Sequence, residues 1–335
     1  MITAVDRAGP HRPEPTTPLR WPGSVRRTSS IDSTRPDGLM GDVRVDGRAR
    51  ELLTRDDGST AVLATQDIAV VTDTERTIRT ISVSPGPVGI DALVGQSIAT
   101  GFRARLAGGF PVEGAHRSLA NLLLDDLPGA TLVSGYALQQ ADLVGIRGDN
   151  PEMRAGVLGM ADVCAGWAED ASIIVTFLDR HEIPSPVGPS APRLERGDDP
   201  LGWHDMADLP AHATRRRRRL DLRRAEERSR VDFDAHFRDS YVDPDLRETV
   251  VHEYTVTGSL DVASRRFLSV VADARVLPWV ECPAAVASAT RLVGLDLEEI
   301  GLRVRREFTG TSTCTHLNDM LRTLADLGPM VDHLG

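Results

Sequence analysis

The chain contains no lysine: all 39 of its basic residues are arginine. That removes a Schiff-base lysine, a lysine general base and the phosphate-gripping lysine of a P-loop from the available chemistry. Cysteine is scarce, with three in 335 residues, too few for a disulfide framework, and a reducing, cytoplasmic setting is expected. Aromatic residues are few, and the net charge of −10 argues against a nucleic-acid binder. The longest apolar run, Ala171 to Leu178, is broken by Ser172 and Thr176 and falls far short of the roughly 20 residues a membrane helix needs. A soluble protein without a membrane partner is expected. Gly86-Pro87-Val88-Gly89 lacks the spacing of a phosphate loop, so no nucleotide cofactor is indicated.

What the chain does contain is an internal echo. Subtracting 200 places Gly258, Ser259 and Val262 on Gly58, Ser59 and Val62, and Val270, Val271 and Asp273 on Val70, Val71 and Asp73. After small gaps, Leu292-Val293-Gly294 falls on Leu93-Val94-Gly95, and His316, Leu324, Asp326 and Leu327 fall on His116, Leu124, Asp126 and Leu127. Such a fixed offset points to one fold unit present twice. Cys314 and Cys282 face Gly114 and Ser84 in this alignment, so only the second copy carries the thiols.

The pattern predicts a flexible arm over residues 1–36, rich in Pro, Arg, Thr and Ser. A first repeat is expected over 37–140, with strands over 40–53, 60–71 and 77–83 and helices over 90–106 and 116–127, the last ended by Pro128-Gly129. A helical and Pro/Arg-rich connecting segment spans 141–240, and a second repeat spans 241–335. Strands followed by helices imply an α+β fold with helices on one face of an antiparallel sheet. The two copies are expected to pair as an intrachain pseudo-dimer.

The sharpest constellation is Cys282, Cys314 and His316, joined by His252 or Glu253. Thiolate and imidazole are ligands that Zn and Fe favour, and each cysteine precedes a helical stretch whose free N–H groups lower a thiol pKa. The first expectation is therefore a Zn or Fe site of Cys282, Cys314 and His316, with His252 or Glu253 as fourth ligand or base for a small-molecule substrate. A metal-free thiol enzyme is the second, with Cys314 as nucleophile and His252 or His204 as base. In the third, these residues are buried packing groups in a structural or interaction protein.

The stretches Leu277-Pro278-Trp279-Val280-Glu281-Cys282-Pro283 and Thr311-Ser312-Thr313-Cys314-Thr315-His316-Leu317-Asn318-Asp319 resemble the signature of the bacterial family called domain of unknown function 2889. Cys164-Ala165-Gly166-Trp167, Asp199 to His204, Arg215 to Leu220 and His236 to Ser240 resemble its actinobacterial members. That resemblance implies no activity. Ala272-Asp273-Ala274-Arg275, the cysteine that follows and the final Cys/His pair are also similar to iron–sulfur cluster scaffold proteins. There Cys282 matches the middle cluster cysteine and Cys314 with His316 the final pair, while His252-Glu253 stands where a first cysteine is lacking.

The remaining candidates have plainer readings. Cys164 sits among Val157, Leu158, Met160, Val163 and Trp167 and reads as a core thiol. Trp203-His204-Asp205 reads as a surface loop, Arg215 to Arg219 as a salt-bridged helix face, and His236-Phe237-Arg238-Asp239 as an amphipathic turn.

Overall fold

The computed structural model describes residues 8–86, 89–99, 101–107, 118–141, 143, 151–227 and 229–334. Eight strands, β1 (Ser24–Thr34), β2 (Val43–Thr54), β3 (Thr60–Thr72), β4 (Ile78–Ser84), β5 (Thr214–Arg224), β6 (Arg230–Val242), β7 (Glu248–Asp261) and β8 (Phe267–Val276), form one sheet. Its order is β4-β3-β2-β1-β5-β6-β7-β8, antiparallel throughout, with β1 and β5 paired at the centre. Aspartates set the tight turns. Asp73 Oδ1 accepts from the N–H groups of Glu75 and Thr77, and Asp243 Oδ1 from those of Asp245 and Arg247, which fixes strand register through local side-chain turns.

The helices are α1 (Phe102–Ala107), α2 (Leu119–Val133), α3 (Tyr136–Gln140), α4 (Pro151–Leu158), α5 (Ser172–Arg180), α6 (Leu297–Glu307), α7 (Thr315–Thr323) and α8 (Leu327–Leu334). Helix α2 packs on β1, β2 and β3, and α8 on β1 and β5. The α+β expectation holds as an antiparallel sheet with helices. One apolar core, with Val45, Ile68, Leu93, Leu123 and Leu127, lies under α2. A larger one, with Phe237, Tyr254, Leu292, Ile300 and Leu321, lies under α6 to α8.

Residues 1–36 were expected to be a flexible arm. Within them, β1 is a central strand, mostly buried, and Thr17 N–H donates to the Leu194 carbonyl while Trp203 Nε1 donates to Thr17 Oγ1. Its Ser, Thr and Arg residues mimic a disordered composition, yet Arg26 pairs with Asp221, Arg27 with Glu51 and Asp326, and Thr28 and Ser30 with His204. Arg215 to Arg219 lie on β5 rather than on a helix, and each is buried. Strand alternation splits them between faces: Arg216 and Arg218 reach Asp126 of α2, whereas Arg215, Arg217 and Arg219 reach Asp32, Glu195 and Asp234. His236 to Asp239 likewise lie on β6, not in a turn. The connecting segment 141–240 therefore contains two sheet strands, and the expected repeat boundaries at 37 and 241 each cut strands away from their sheet.

Helix α2 runs through Pro128-Gly129 instead of ending there. A Cβ on Gly129 would fall 2.1 Å from Arg216 Nη1, so this glycine makes room for a buried guanidinium and is not a stop signal. The offset of 200 does not align the strands. Val70 and Val71 lie in β3 while Val270 and Val271 lie in β8, and Gly58 lies in a turn while Gly258 lies inside β7. Gly114 and His116 fall outside the described residues.

Candidate metal centre

Asp239, His252 and His316 come together on the helix-covered face of the sheet. Each offers one ligand atom, and these atoms lie within 4.8 Å of one another. Asp239 and His252 are register partners on β6 and β7, next to an irregularity at Asp239/Ser240 where Ser240 pairs with Val250. Such bulges re-aim side chains. His316 lies on the first turn of α7, after Cys314 as the extended N-cap residue. Its ring stacks on that of His252, with centroids 3.7 Å apart and an interplanar angle of 16°. His316 Nε2 is 4.0 Å from Asp239 Oδ2, and His252 Nδ1 is buried with no hydrogen-bond partner.

Both imidazoles are held neutral. Burial lowers the His316 pKa to about 4, helped by the positive charges of Arg216 and Arg218 and opposed by Asp319. Burial and then His316 push His252 well below its ordinary value. Neutral imidazole is the form that binds metals, and two imidazoles with one carboxylate suit a divalent transition ion with coordination positions left open.

An arginine–aspartate network surrounds the three. Arg216 donates from Nε to Asp239 Oδ1 (2.8 Å) and from Nη2 to Oδ2 (2.9 Å), while Nη1 reaches Asp126 Oδ1 and Asp319 Oδ2, both at 3.3 Å. Arg218 forks onto Asp126 at 2.5 and 2.6 Å. Both guanidiniums lie over the Phe237 ring, at 4.9 and 4.7 Å. Burial works against the charges of Arg216 and Asp319, but their partners prevail: the Arg216 pKa is raised, and that of Asp319 is held well below the carboxylate range by Arg322, Arg103 and Arg216. An open hollow of about 400 Å³ lies nearby between α2, α6 and α7, lined by Asn121, Asp125, Arg305 and Arg322 among others. None of the three candidate ligands lines it.

The thiols gather elsewhere. Cys164, Cys282 and Cys314 are free and buried, and all three act on the Tyr254 hydroxyl, which lies at the Cys314 sulfur without a well-formed hydrogen bond. Cys282 Sγ packs against Gly166, where a Cβ would come within 2.6 Å of it. Burial raises all three thiol pKa values, that of Cys314 to about 11. The N–H groups of His316 and Leu317 lower the Cys314 value, as a helix start predicts, but burial outweighs them. Cys164 is the core thiol expected. Cys282, Cys314 and His316 do not form one group of ligand atoms within 4.8 Å: His316 turns to the β6–β7 face, and the sulfurs remain in the core.

Glu253 does not join His252 in one site. Adjacent strand residues face opposite ways, and Glu253 accepts from Arg238 Nε (2.8 Å), pairs with His236 Nε2 (3.2 Å) and accepts from the Glu14 N–H on the far face. His204, expected in a surface loop, is buried between Ser30 Oγ (2.8 Å) and Thr28 Oγ1 (2.9 Å), and Trp203 beside it is buried too. His204 is thus engaged by β1 on both ring nitrogens, and Trp203 donates to Thr17. In the sequence, Arg216 reads as part of a helix face and Asp239 as part of a turn, and neither Asp126 nor Asp319 has a role as a ligand. The available signal was the alternation of Val231, Phe233, Ala235 and Phe237 with polar residues along β6, whereas the five consecutive arginines of β5 carry no periodicity.

Residues 214–328 match a family described as a protein of unknown function, DUF2889. The match spans Arg216, Asp239, His252, Cys282, Cys314 and His316, while Asp126 and Cys164 lie outside it. No curated protein and no solved structure matches the chain.

Proposed function

We propose that this protein binds a divalent transition-metal ion through Asp239, His252 and His316. The observation that carries the proposal is the convergence of three ligand atoms, from β6, β7 and α7, within 4.8 Å. The desolvated imidazoles need not lose a proton to coordinate. Coordination requires the two rings to turn out of their stack so that their lone pairs converge, and His316, with 17% of its side chain exposed, lies on the accessible side. Three protein ligands leave positions for water or a small-molecule substrate, the arrangement of metal-assisted catalysis. Zn and Fe both accept this donor set.

This replaces a thiolate-based centre at Cys282 and Cys314. Thiols whose protons are held by burial are poor nucleophiles at neutral pH, which weighs against a metal-free Cys314 enzyme. Unpaired buried thiols suit a cytoplasmic setting.

We also infer that the two halves descend from one duplicated unit that pairs within the chain. Supporting this, Leu93-Val94-Gly95 and Leu292-Val293-Gly294 each begin on the last residue of a 3-10 helix, their glycines have φ of 81° and 80°, and their glycine N–H groups donate to Ile78 and Phe267 carbonyls at the start of β4 and β8, each at 2.8 Å. Asp126 of one half meets Arg218 of the other, and Asp326 meets Arg27 in the reciprocal sense.

The test is metal content of protein purified without chelator, followed by titration with Zn(II) and Co(II). Wild type and Cys282→Ser/Cys314→Ser are expected to hold about one equivalent, by one-site stoichiometry. His252→Ala/His316→Ala is expected to hold none. Equal and negligible metal in wild type and the histidine variant, before and after titration, would overturn the proposal.

A further inference from the structure

The Asp239 oxygen that faces His316 is the one already engaged by Arg216: Oδ2 lies 4.0 Å from His316 Nε2 and accepts from Arg216 Nη2 at 2.9 Å. An ion at this centre and the guanidinium, both positively charged, would converge on one oxygen atom and repel each other. We propose that Arg216 gates the metal centre, holding Asp239 in the ion-free protein and passing to Asp126 and Asp319 when Asp239 turns to an ion. The proposal rests on the metal reading above.

The transfer has a prepared destination. Arg216 Nη1 already points at Asp126 Oδ1 and Asp319 Oδ2, at 3.3 Å from each, long for charged hydrogen bonds that close to about 2.7–2.9 Å when fully formed. Those acceptors are secured by other arginines: Arg218 forks onto Asp126, and Arg322 donates to Asp319 Oδ1 at 2.8 Å. They stay in place as Arg216 shifts. The guanidinium lies over the face of Phe237, a surface along which a planar cation can slide without losing its attraction. On the α2 side, Gly129 presents no side chain where a Cβ would meet Nη1 at 2.1 Å. Arg216 thus remains paired in both states, and a buried unpaired charge, the costly outcome, is avoided.

The gate gives Arg216 an effect opposite to that of a structural arginine: weakening its hold on Asp239 strengthens metal binding. The experiment is Zn(II) titration of the full chain against a chromophoric chelator, at one pH and ionic strength. The proteins are wild type, Arg216→Gln, Arg216→Lys, Asp126→Asn and His252→Ala/His316→Ala, with thermal melts as a check of folding. Arg216→Gln is expected to bind Zn(II) about tenfold more tightly, the scale on which close charge pairs couple. Arg216→Lys, which loses the two-pronged grip but keeps the charge, is expected to fall between it and wild type. Asp126→Asn, which touches no ligand, is expected to weaken binding several-fold by removing a receiver. If wild type binds and Arg216→Gln binds equally or less tightly, the gate is wrong and the centre stands. If Arg216→Gln does not fold, Arg216→Lys and Asp126→Asn decide, and unchanged affinity in both sinks the gate. If wild type binds no better than the double histidine variant, the metal reading itself fails.

Discussion

His316 lies flat on His252, centroids 3.7 Å apart, although 64 positions separate them in the chain and only one of them is on the sheet. Helix α7 delivers the first ring, β7 holds the second, and Asp239 on the neighbouring strand supplies the carboxylate. Their neutrality, imposed by burial and nearby arginines, allows two rings to stack without repulsion.

Glu253 separates the two faces of β7. Glu253→Gln is expected to leave Zn(II) affinity within about twofold of wild type, because its carboxylate points away from His252, but to cost about 3 kcal/mol of stability by leaving Arg238 short of its buried partner. Chemical denaturation and metal titration on one variant give both values. A large loss of affinity without a loss of stability would contradict the face assignment.

Gly129→Ala sets two effects against each other. Helix propensity favours alanine by up to about 1 kcal/mol, whereas the new Cβ would collide with Arg216 Nη1 and displace a guanidinium that bridges three carboxylates. The clash is expected to win, for a net loss of about 1–3 kcal/mol. A stabilised variant would show that Arg216 moves aside freely.

The thiols are expected to resist alkylation in the folded protein at pH 8. Cys164, Cys282 and Cys314 are buried, and burial raises each pKa. A colorimetric thiol assay should read close to zero under native conditions and three equivalents in denaturant. Rapid native labelling of Cys314 would revive a thiol mechanism.

Stability is expected to fall on acidification through His204 and His236. Burial, with arginine charges, lowers His204 from 6.5 to about 3, and burial, partly offset by Glu253, lowers His236 to about 4. As pH drops, the unfolded chain takes up these protons first, near 6.5. The stabilisation is therefore complete above pH 6.5 and is lost between there and about 4 for His236 and 3 for His204, on the order of 3 kcal/mol for His236 and 5 kcal/mol for His204. His204→Gln/His236→Gln should show a smaller drop in urea midpoint between pH 7 and pH 4.5 than wild type. An identical drop would place the acid sensitivity in His252 and His316 or in the carboxylates.

Deletion of residues 1–34 is expected to abolish folding, because β1 joins β2 to β5 through the middle of the sheet. Circular dichroism and a melting curve of the truncated chain test this. A cooperative transition would show that β5 and β2 can close without it.

Several elements were legible because their signals are local. The strands β2, β3 and β4 follow from alternation, and α7 is the helical stretch expected after Cys314. Asp296 caps α6 through the Glu298 N–H. The strands β1 and β5 were missed because Ser, Thr, Arg and Asp dominate them, and β6 because its Val231, Phe233, Ala235 and Phe237 are interleaved with Asp, His and Arg. Such strands are stable only when buried charges find partners across layers, as Arg26 does with Asp221 and Arg216 with Asp239. Pairings of that kind lie from 23 to 195 positions apart, and no periodicity within a window encodes them.

The sequence by itself determined the absence of lysine chemistry, the scarcity of thiols, an antiparallel sheet with helices, and His252 and His316 as residues of interest. The tertiary structure decided their company. Strand alternation turned Glu253 away and kept His252 on the helix side, and the register of β6 against β7 put Asp239 beside it. The first turn of α7 separated His316 from the sulfur two residues before it. Ligand convergence is a property of three elements meeting, and the core that brings them together also keeps protons on the thiols.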